Sequence, residues 1–341
     1  MLRSGLRFFT PARLLIAGLA VFAVGLALWV IPSNNYIFLP DRAHVVAPLV
    51  SVAGKHAQSD PSGGIYYVDV FVRKASLLES LFGGLHSGAN IESPADAGAS
   101  GLTDAERLAI DQREMTLSQQ SAATVALRTA GFKVRTVPTG ALVSDVATGL
   151  PADGKLEPTD VIVGVDGHRV TGPAGLIALL ENKHVGDLVT FAVRRGSQKL
   201  TVKLHTVAAG PGSKRGIVGI FVDQAVDVHL PIPISIDAGD VGGPSAGLAF
   251  ALEVLEQLGR NVDHGYKIAA TGEMFLDGHV GPIGGIKQKT IGAREAGVEA
   301  FLVPAGQNAI DARKYAHGLR IIPVDSFRQA LRALATLPPN A

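Results

Sequence analysis

Between Leu14 and Ile31 the chain runs 18 residues (LLIAGLAVFAVGLALWVI) with nothing but apolar side chains and glycine. As a helix this run is about 27 Å long at roughly 1.5 Å per residue, close to the depth of a bilayer's hydrocarbon core. It has no polar face with which to lie on a soluble core, so the pattern predicts a membrane anchor over residues 13–32. Arg3, Arg7 and Arg13 precede the run, and the first charges after it are Asp41 and Arg42. The positive-inside rule then leaves residues 1–12 in the cytoplasm and carries everything later across the membrane. Trp29 and Tyr36 suit the far interface. A cleaved signal peptide is the competing reading, but its apolar region is normally about 7–15 residues and ends in an A-x-A-like site. Here the run is longer and leads into Pro32-Ser33-Asn34-Asn35.

The remaining chain is long enough for two domains at roughly 100–200 residues each. With 47% apolar and 18% charged residues it has the composition of a folded protein. Thirty-one Lys and Arg against 30 Asp and Glu leave a net charge of +1, with one Trp and five Tyr. That is no footprint for nucleic acid, which needs a basic surface and stacking aromatics. The absence of cysteine excludes disulfides, thiolate metal sites and a cysteine nucleophile, and leaves the redox compartment undecided. Ten scattered histidines with no H-E-x-x-H pattern give no reason to expect a metal.

Residues 33–130 read as strands, a flexible loop and a helix. The β-rich runs His44–Val52 and Ile65–Val72 flank the polar Gly54–Gly64 segment, which predicts a hairpin or strand pair. Gly83–Gly101, rich in Gly, Ala, Ser and Pro, reads as a mobile loop. Thr103-Asp104-Ala105-Glu106 has the capping-box form and starts a helix that runs to Thr129, with a break expected near Ser118–Ser121.

Over residues 131–206 the pattern turns to short strands. They are expected at Phe132–Val137, Ala141–Val146, Val161–Val165, Leu188–Arg194 and Lys199–Leu204, with one helix at Leu176–Asn182. This region resembles a bacterial PDZ domain, most specifically in Leu150-Pro151-Ala152-Asp153-Gly154-Lys155-Leu156 and Asp160-Val161-Ile162-Val163-Gly164-Val165-Asp166-Gly167. The resemblance implies capture of a protein chain end by strand addition. The family's glycine-flanked carboxylate loop is not plainly matched, and Gly131-Phe132-Lys133-Val134 is the nearest candidate. A domain that only shapes or gates its neighbour is the alternative. Asp160 and Asp166 read as turn formers.

Residues 207–341 hold the chemistry. ISIDAGDVGGPSAG (Ile234–Gly247) surrounds Ser245 with glycines and leads into an unbroken apolar run, Leu248–Leu258, which places Ser245 at a helix N-terminus. The unpaired amides there suit an oxyanion or a phosphate equally well. GPSAG, then Thr271-Gly272-Glu273, then Pro282-Ile283-Gly284-Gly285-Ile286-Lys287-Gln288-Lys289, in that order, resemble the Lon-type serine protease domain, specifically its membrane-anchored, PDZ-containing branch. The resemblance implies Ser245 as nucleophile, Lys289 as its base, a supporting Thr271 and an oxyanion loop of Gly243, Pro244 and Ser245. It implies no cofactor, and it implies assembly into homo-oligomers. Lys287 reads as a solvent-facing alternative and Glu273 as structural or orienting.

A serine–lysine pair makes chemical sense only if burial removes the lysine's charge, because an ordinary ammonium cannot accept a proton at pH 7. The fold expected is therefore α+β: a transmembrane helix, a β-rich PDZ-like domain and a Lon-type protease domain. The function expected is an ATP-independent serine endopeptidase acting on flexible or unfolded extracytoplasmic proteins, since no G-x-x-x-x-G-K-[ST] occurs in the sequence. Two readings compete. One is an inactive PDZ scaffold presenting membrane partners. The other is a small-molecule kinase of the galactokinase or homoserine-kinase type, whose phosphate loop is also a Gly- and Ser-rich turn before a helix. A Ser-His-Asp triad from His264, His279 or Asp240 has no supporting spacing. Many full-length Lon enzymes carry an acidic residue directly before GPSAG; here that position is Gly242, so no role of that acid carries over.

Overall fold

A computed structural model describes residues 11–54, 63–97, 102–239 and 241–337. Asp240, residues 1–10 and 338–341, the middle of the Gly54–Gly64 segment and the end of the Gly83–Gly101 segment lie outside the described residues. Helix α1 (Pro11–Val30) covers the apolar run, buries none of its side chains against the protein, and is long and apolar enough to cross a bilayer.

The chain beyond α1 first builds an antiparallel sheet in the order Val70–Ser76, Pro32–Pro40, Asn90–Glu92, with the short α2 (Leu77–Leu81) attached. Asn90–Glu92 falls inside the stretch expected to be a loop. It pairs with Tyr36–Phe38, so the strand is made by its partner rather than by its own β propensity. The next sheet has five strands in the order His44–Val45, Gly64–Tyr67, Lys267–Ala270, Ala300–Pro304, Arg320–Val324. All its pairs are parallel except the edge pair with His44–Val45. The expected hairpin therefore exists only as that short edge contact. Val50–Val52 pairs with Ile234–Ile236 instead, and Val70–Val72 with Phe38–Pro40. Pairing across some 200 residues of sequence leaves no local mark.

The parallel sheet is buried on both faces, as such sheets are. Ile268, Ala270, Ala300 and Leu302 face a core shared with α3 (Asp104–Thr129), α5 (Gly247–Gln257) and α8 (Phe327–Ala335). The alternating Ala269, Phe301 and Val303 face the opposite core with α6 (Ile286–Glu295) and α7 (Gln307–Tyr315). Helix α3 starts with the expected Thr103/Glu106 capping box and runs 26 residues without the expected break. The Ser118 hydroxyl donates to the Pro244 carbonyl at 2.7 Å instead of competing for its own helix backbone.

The second unit is a six-stranded sheet whose main path is Gln198–His205, Leu188–Arg195, Val161–Val165, Arg135–Val146, Ile220–His229, with α4 (Pro173–Glu181) packed across it. The two strands expected at Phe132–Val137 and Ala141–Val146 are one 12-residue strand. The edge strand Ile220–His229 lies beyond the expected boundary at residue 206, yet it pairs with Arg135–Val146 over nearly its whole length. Asp166 is a turn residue with φ of 48°, and Asp160 closes its own turn by accepting the Glu157 amide at 3.0 Å; fully buried, it also accepts both the Nε and the Nη2 of Arg195 at 2.7 Å.

Candidate active site

Three elements deliver three side chains to one place. Gly243, with φ of 79°, turns the chain into a single 3-10 turn, Pro244–Ala246, which continues as α5 and sets Ser245 at its head. Only glycine takes that backbone conformation without strain. Thr271 ends the strand Lys267–Ala270, its amide still bonded to the Leu302 carbonyl of the neighbouring strand at 3.0 Å. Lys289 lies in the first turn of α6, four residues after the left-handed Gly285.

The Lys289 Nζ lies 2.5 Å from the Ser245 Oγ and 3.4 Å from the Thr271 Oγ1. The Thr271 hydroxyl donates to the Ser245 carbonyl at 3.1 Å, and the Gly272 amide donates to the same carbonyl at 2.8 Å. Its proton thus spent, the Thr271 oxygen keeps its lone pairs for the amine. Lys289 is 4% exposed. Burial disfavours its charge and pushes its pKa down to about 8, against a smaller upward pull from the Asp69 carboxylate. At that value about one amine in ten is neutral at pH 7, against fewer than about one in a thousand for an ordinary lysine.

The pair opens on a cleft of about 1190 Å³. Its wall includes Asp69, Asp111 and Glu114, none of which the sequence motifs single out. Burial is the main cause raising the Asp69 carboxyl, with Asp41 adding to it and His44 and Lys289 opposing. Burial also raises Glu114, to about 7, helped by Asp111 and Glu273. Glu273 faces this acidic group, and its own carboxyl is raised by burial and then by Asp223.

The other expected residues fall elsewhere. Lys287 is half-buried at the surface, and its Nζ donates to the Ala89 carbonyl and the Asn90 Oδ1, both at 3.0 Å. The His279 ring is tilted against that of Phe275, and His264 occupies a turn with φ of 52°. Gly131-Phe132-Lys133-Val134 sits where α3 ends, with φ of 96° at Gly131, and does not line the apolar slot beside α4. That slot lies between α4 and residues 216–222. It is a 290 Å³ apolar slot whose lining includes Leu176, Ile177, Leu180, Ile217, Val218 and Phe221. Gly219, at φ of 83° and flanked by apolar residues, is the local signal that marks it.

Residues 212–336 match the family model of the Lon protease (S16) C-terminal proteolytic domain, and residues 126–206 match that of the PDZ domain. The chain carries a Lon-type proteolytic domain and a PDZ domain. Lon protease 2 of Bacillus subtilis (strain 168) is 28% identical over 210 residues, 61% of this chain and 35% of that protein. Lon protease homolog 2, peroxisomal, of Caenorhabditis elegans is 32% identical over 149 residues, 43% of this chain and 18% of that protein. Lon protease of Mesomycoplasma hyopneumoniae (strain 232) is 36% identical over 148 residues, 40% of this chain and 17% of that protein. The chain thus spans 17% to 35% of the length of these relatives. The crystal structure of the PDZ domain of the SdrC-like protein from Listeria monocytogenes is 24% identical, with a TM-score of 0.23, covering 25% of this chain and 87% of that one. The Lon-type domain has a discontinuous frame: its parallel sheet begins with Gly64–Tyr67, and the PDZ domain interrupts the chain before Lys267–Ala270 continues that sheet.

Proposed function

We propose that the chain is a membrane-anchored serine endopeptidase that works without ATP, with Ser245 as nucleophile and Lys289 as general base. The observation that carries this reading is the 2.5 Å contact between a buried amine and the Ser245 hydroxyl at the head of α5. Ser245 Oγ attacks the scissile carbonyl carbon and its proton passes to the neutral Lys289 Nζ. The same ammonium then protonates the departing amine, and water hydrolyses the acyl-Ser245 ester. The Ser245 backbone N–H, at the end of the Gly243-Pro244-Ser245 loop that opens α5, holds the oxyanion, since Pro244 has no N–H and the Gly243 amide donates to the Asp111 carbonyl at 2.9 Å; Thr271 orients the amine.

Substrates are flexible or unfolded proteins outside the cytoplasm, held on that side by α1 with its N-terminus inside. Their chain ends add as a strand beside the edge strand Ile220–His229 and fill the slot against α4. Homo-oligomeric assembly belongs to the same reading. The test is hydrolysis of an unfolded reporter protein in detergent without nucleotide. Labelling by a serine-directed phosphonate is expected in the wild type and lost in Ser245→Ala. Retention of full hydrolysis in Ser245→Ala would sink the proposal, and tight binding of ATP with magnesium would favour the kinase reading.

A further inference from the structure

We propose that the apolar turn Leu81–Leu85 is a second membrane contact, inserted at the headgroup–acyl boundary on the side where α1 emerges. This rests on the reading of α1 as a membrane span.

Leu81, Phe82 and Leu85 are 66%, 60% and 48% exposed, and residues 81–89 (LFGGLHSGA) contain no Asp, Glu, Lys or Arg. Three large apolar side chains in an uncharged exposed segment form a patch that water does not favour. Its position is fixed at the level of the end of α1. The Leu77 amide donates to the Ile31 carbonyl at 2.9 Å, and Pro32 is paired opposite Ser76. The Ser33 hydroxyl donates to the Ala75 carbonyl at 2.9 Å and lies 2.7 Å from the Ser80 hydroxyl. The rings of Trp29 and His86 are 6.1 Å apart.

The polar side of the turn faces the protein. His86 Nε2 lies 2.7 Å from the Glu79 Oε1. Glu79, 1% exposed, is also held by both terminal nitrogens of Arg73 and by the Ser76 amide. This anchoring leaves the apolar side chains nowhere to turn but outward. Trp29, Val30 and Ile31 at the end of α1 are themselves exposed apolar residues, joined to the turn through the Trp29–His86 ring contact, and Trp at a membrane boundary is an interfacial anchor. Lipid is therefore the occupant that this surface fits, because the same layer that holds the end of α1 reaches it.

The chain has no cysteine, so single-cysteine probes need no background removal. Phe82→Cys, Leu85→Cys, Val21→Cys in α1 and the exposed Lys214→Cys are labelled with an environment-sensitive fluorophore in the full chain. Each is reconstituted in phosphatidylcholine–phosphatidylglycerol vesicles containing lipids spin-labelled at shallow or deep acyl positions. The expected result is quenching of positions 82 and 85 by the shallow label, quenching of position 21 by the deep label, and no quenching at 214. If position 21 is quenched while 82 and 85 behave like 214, the proposal fails and the span stands. If position 21 also behaves like 214, the span fails too. A blue-shifted but unquenched probe at 82 that depends on protein concentration would overturn the proposal in favour of a contact between copies.

Discussion

At the residue scale the decisive quantity is the free energy of removing Lys289 from water. A pKa lowered from 10.5 to about 8 corresponds to roughly 3 kcal/mol at about 1.4 kcal/mol per unit. Because the folded value lies below the unfolded one, the native state binds fewer protons between pH 8 and 10.5, and stability rises with pH across that window. Below pH 8 the full penalty is present. Lys289→Met is therefore expected to unfold at a higher temperature than wild type at pH 7 while losing peptide hydrolysis, as calorimetry and a peptide assay would register. For the wild type, kcat/KM should climb with pH to a plateau, with its midpoint near 8 set by the free enzyme's base. Asp69→Asn removes the charge that favours the ammonium and should move this midpoint toward lower pH; a move upward would contradict the electrostatic assignment. Lys287→Ala, by contrast, removes two hydrogen bonds to the Ala89–Asn90 segment and should cost about 1 kcal/mol in stability while retaining much of the hydrolysis.

At the scale of elements, Ser245, the proposed nucleophile, is held by a helix whose sequence shows no catalytic motif. Helix α3 meets the Ser245 turn through the Ser118 bond to Pro244, and α5 approaches so closely that a Cβ on Gly247 would lie 2.5 Å from the Ser118 Oγ and 2.8 Å from the Met274 Cβ. Gly247→Ala should cost about 1–3 kcal/mol through overpacking and lower kcat more than it raises KM. Ser118→Ala should cost about 1 kcal/mol, with kcat again the affected constant because the Ser245 turn loses an anchor. Steady-state kinetics beside a urea melt separate the two effects. A pure rise in KM in either variant would contradict the positioning role. The GPSAG turn and the lysine helix were legible in the sequence because their glycines and periodicity are local. Ser118 read as a helix break because its tertiary acceptor lies 126 residues away.

At the scale of the whole molecule, buried carboxylates give the fold its pH dependence. Glu253, on α5 and 2% exposed, has its carboxyl raised to about 7 chiefly by burial, with Glu256 and Asp263 adding to it and Gln257 opposing. Glu114 reaches a similar value. Such groups bind more protons folded than unfolded between about pH 4.5 and 7, so their contribution to stability declines as pH rises through that window. Glu253→Gln should flatten the decline and stabilise the protein at pH 8 by up to about 3 kcal/mol, as urea melts at several pH values would measure. Unchanged melts across that range would contradict the assignment.

The sequence by itself determined the apolar first helix, the PDZ-like and Lon-like motifs, the capped α3, and the choice of Ser245, Thr271 and Lys289 as the residues to watch. Each is written in local composition or in short motifs whose residues are near neighbours in the chain, which is the range at which backbone propensity acts. Only the tertiary structure decided that Asp69, Asp111 and Glu114 wall the same cleft, and that Lys287 is tied to Ala89 and Asn90. It also decided that Ile220–His229 completes the PDZ sheet and that Gly64–Tyr67 belongs to the sheet of the Lon-type domain. Those facts depend on strand pairing and helix packing between distant segments, whose free energy exists only once the partners meet, and no local pattern of side chains encodes which partner that will be.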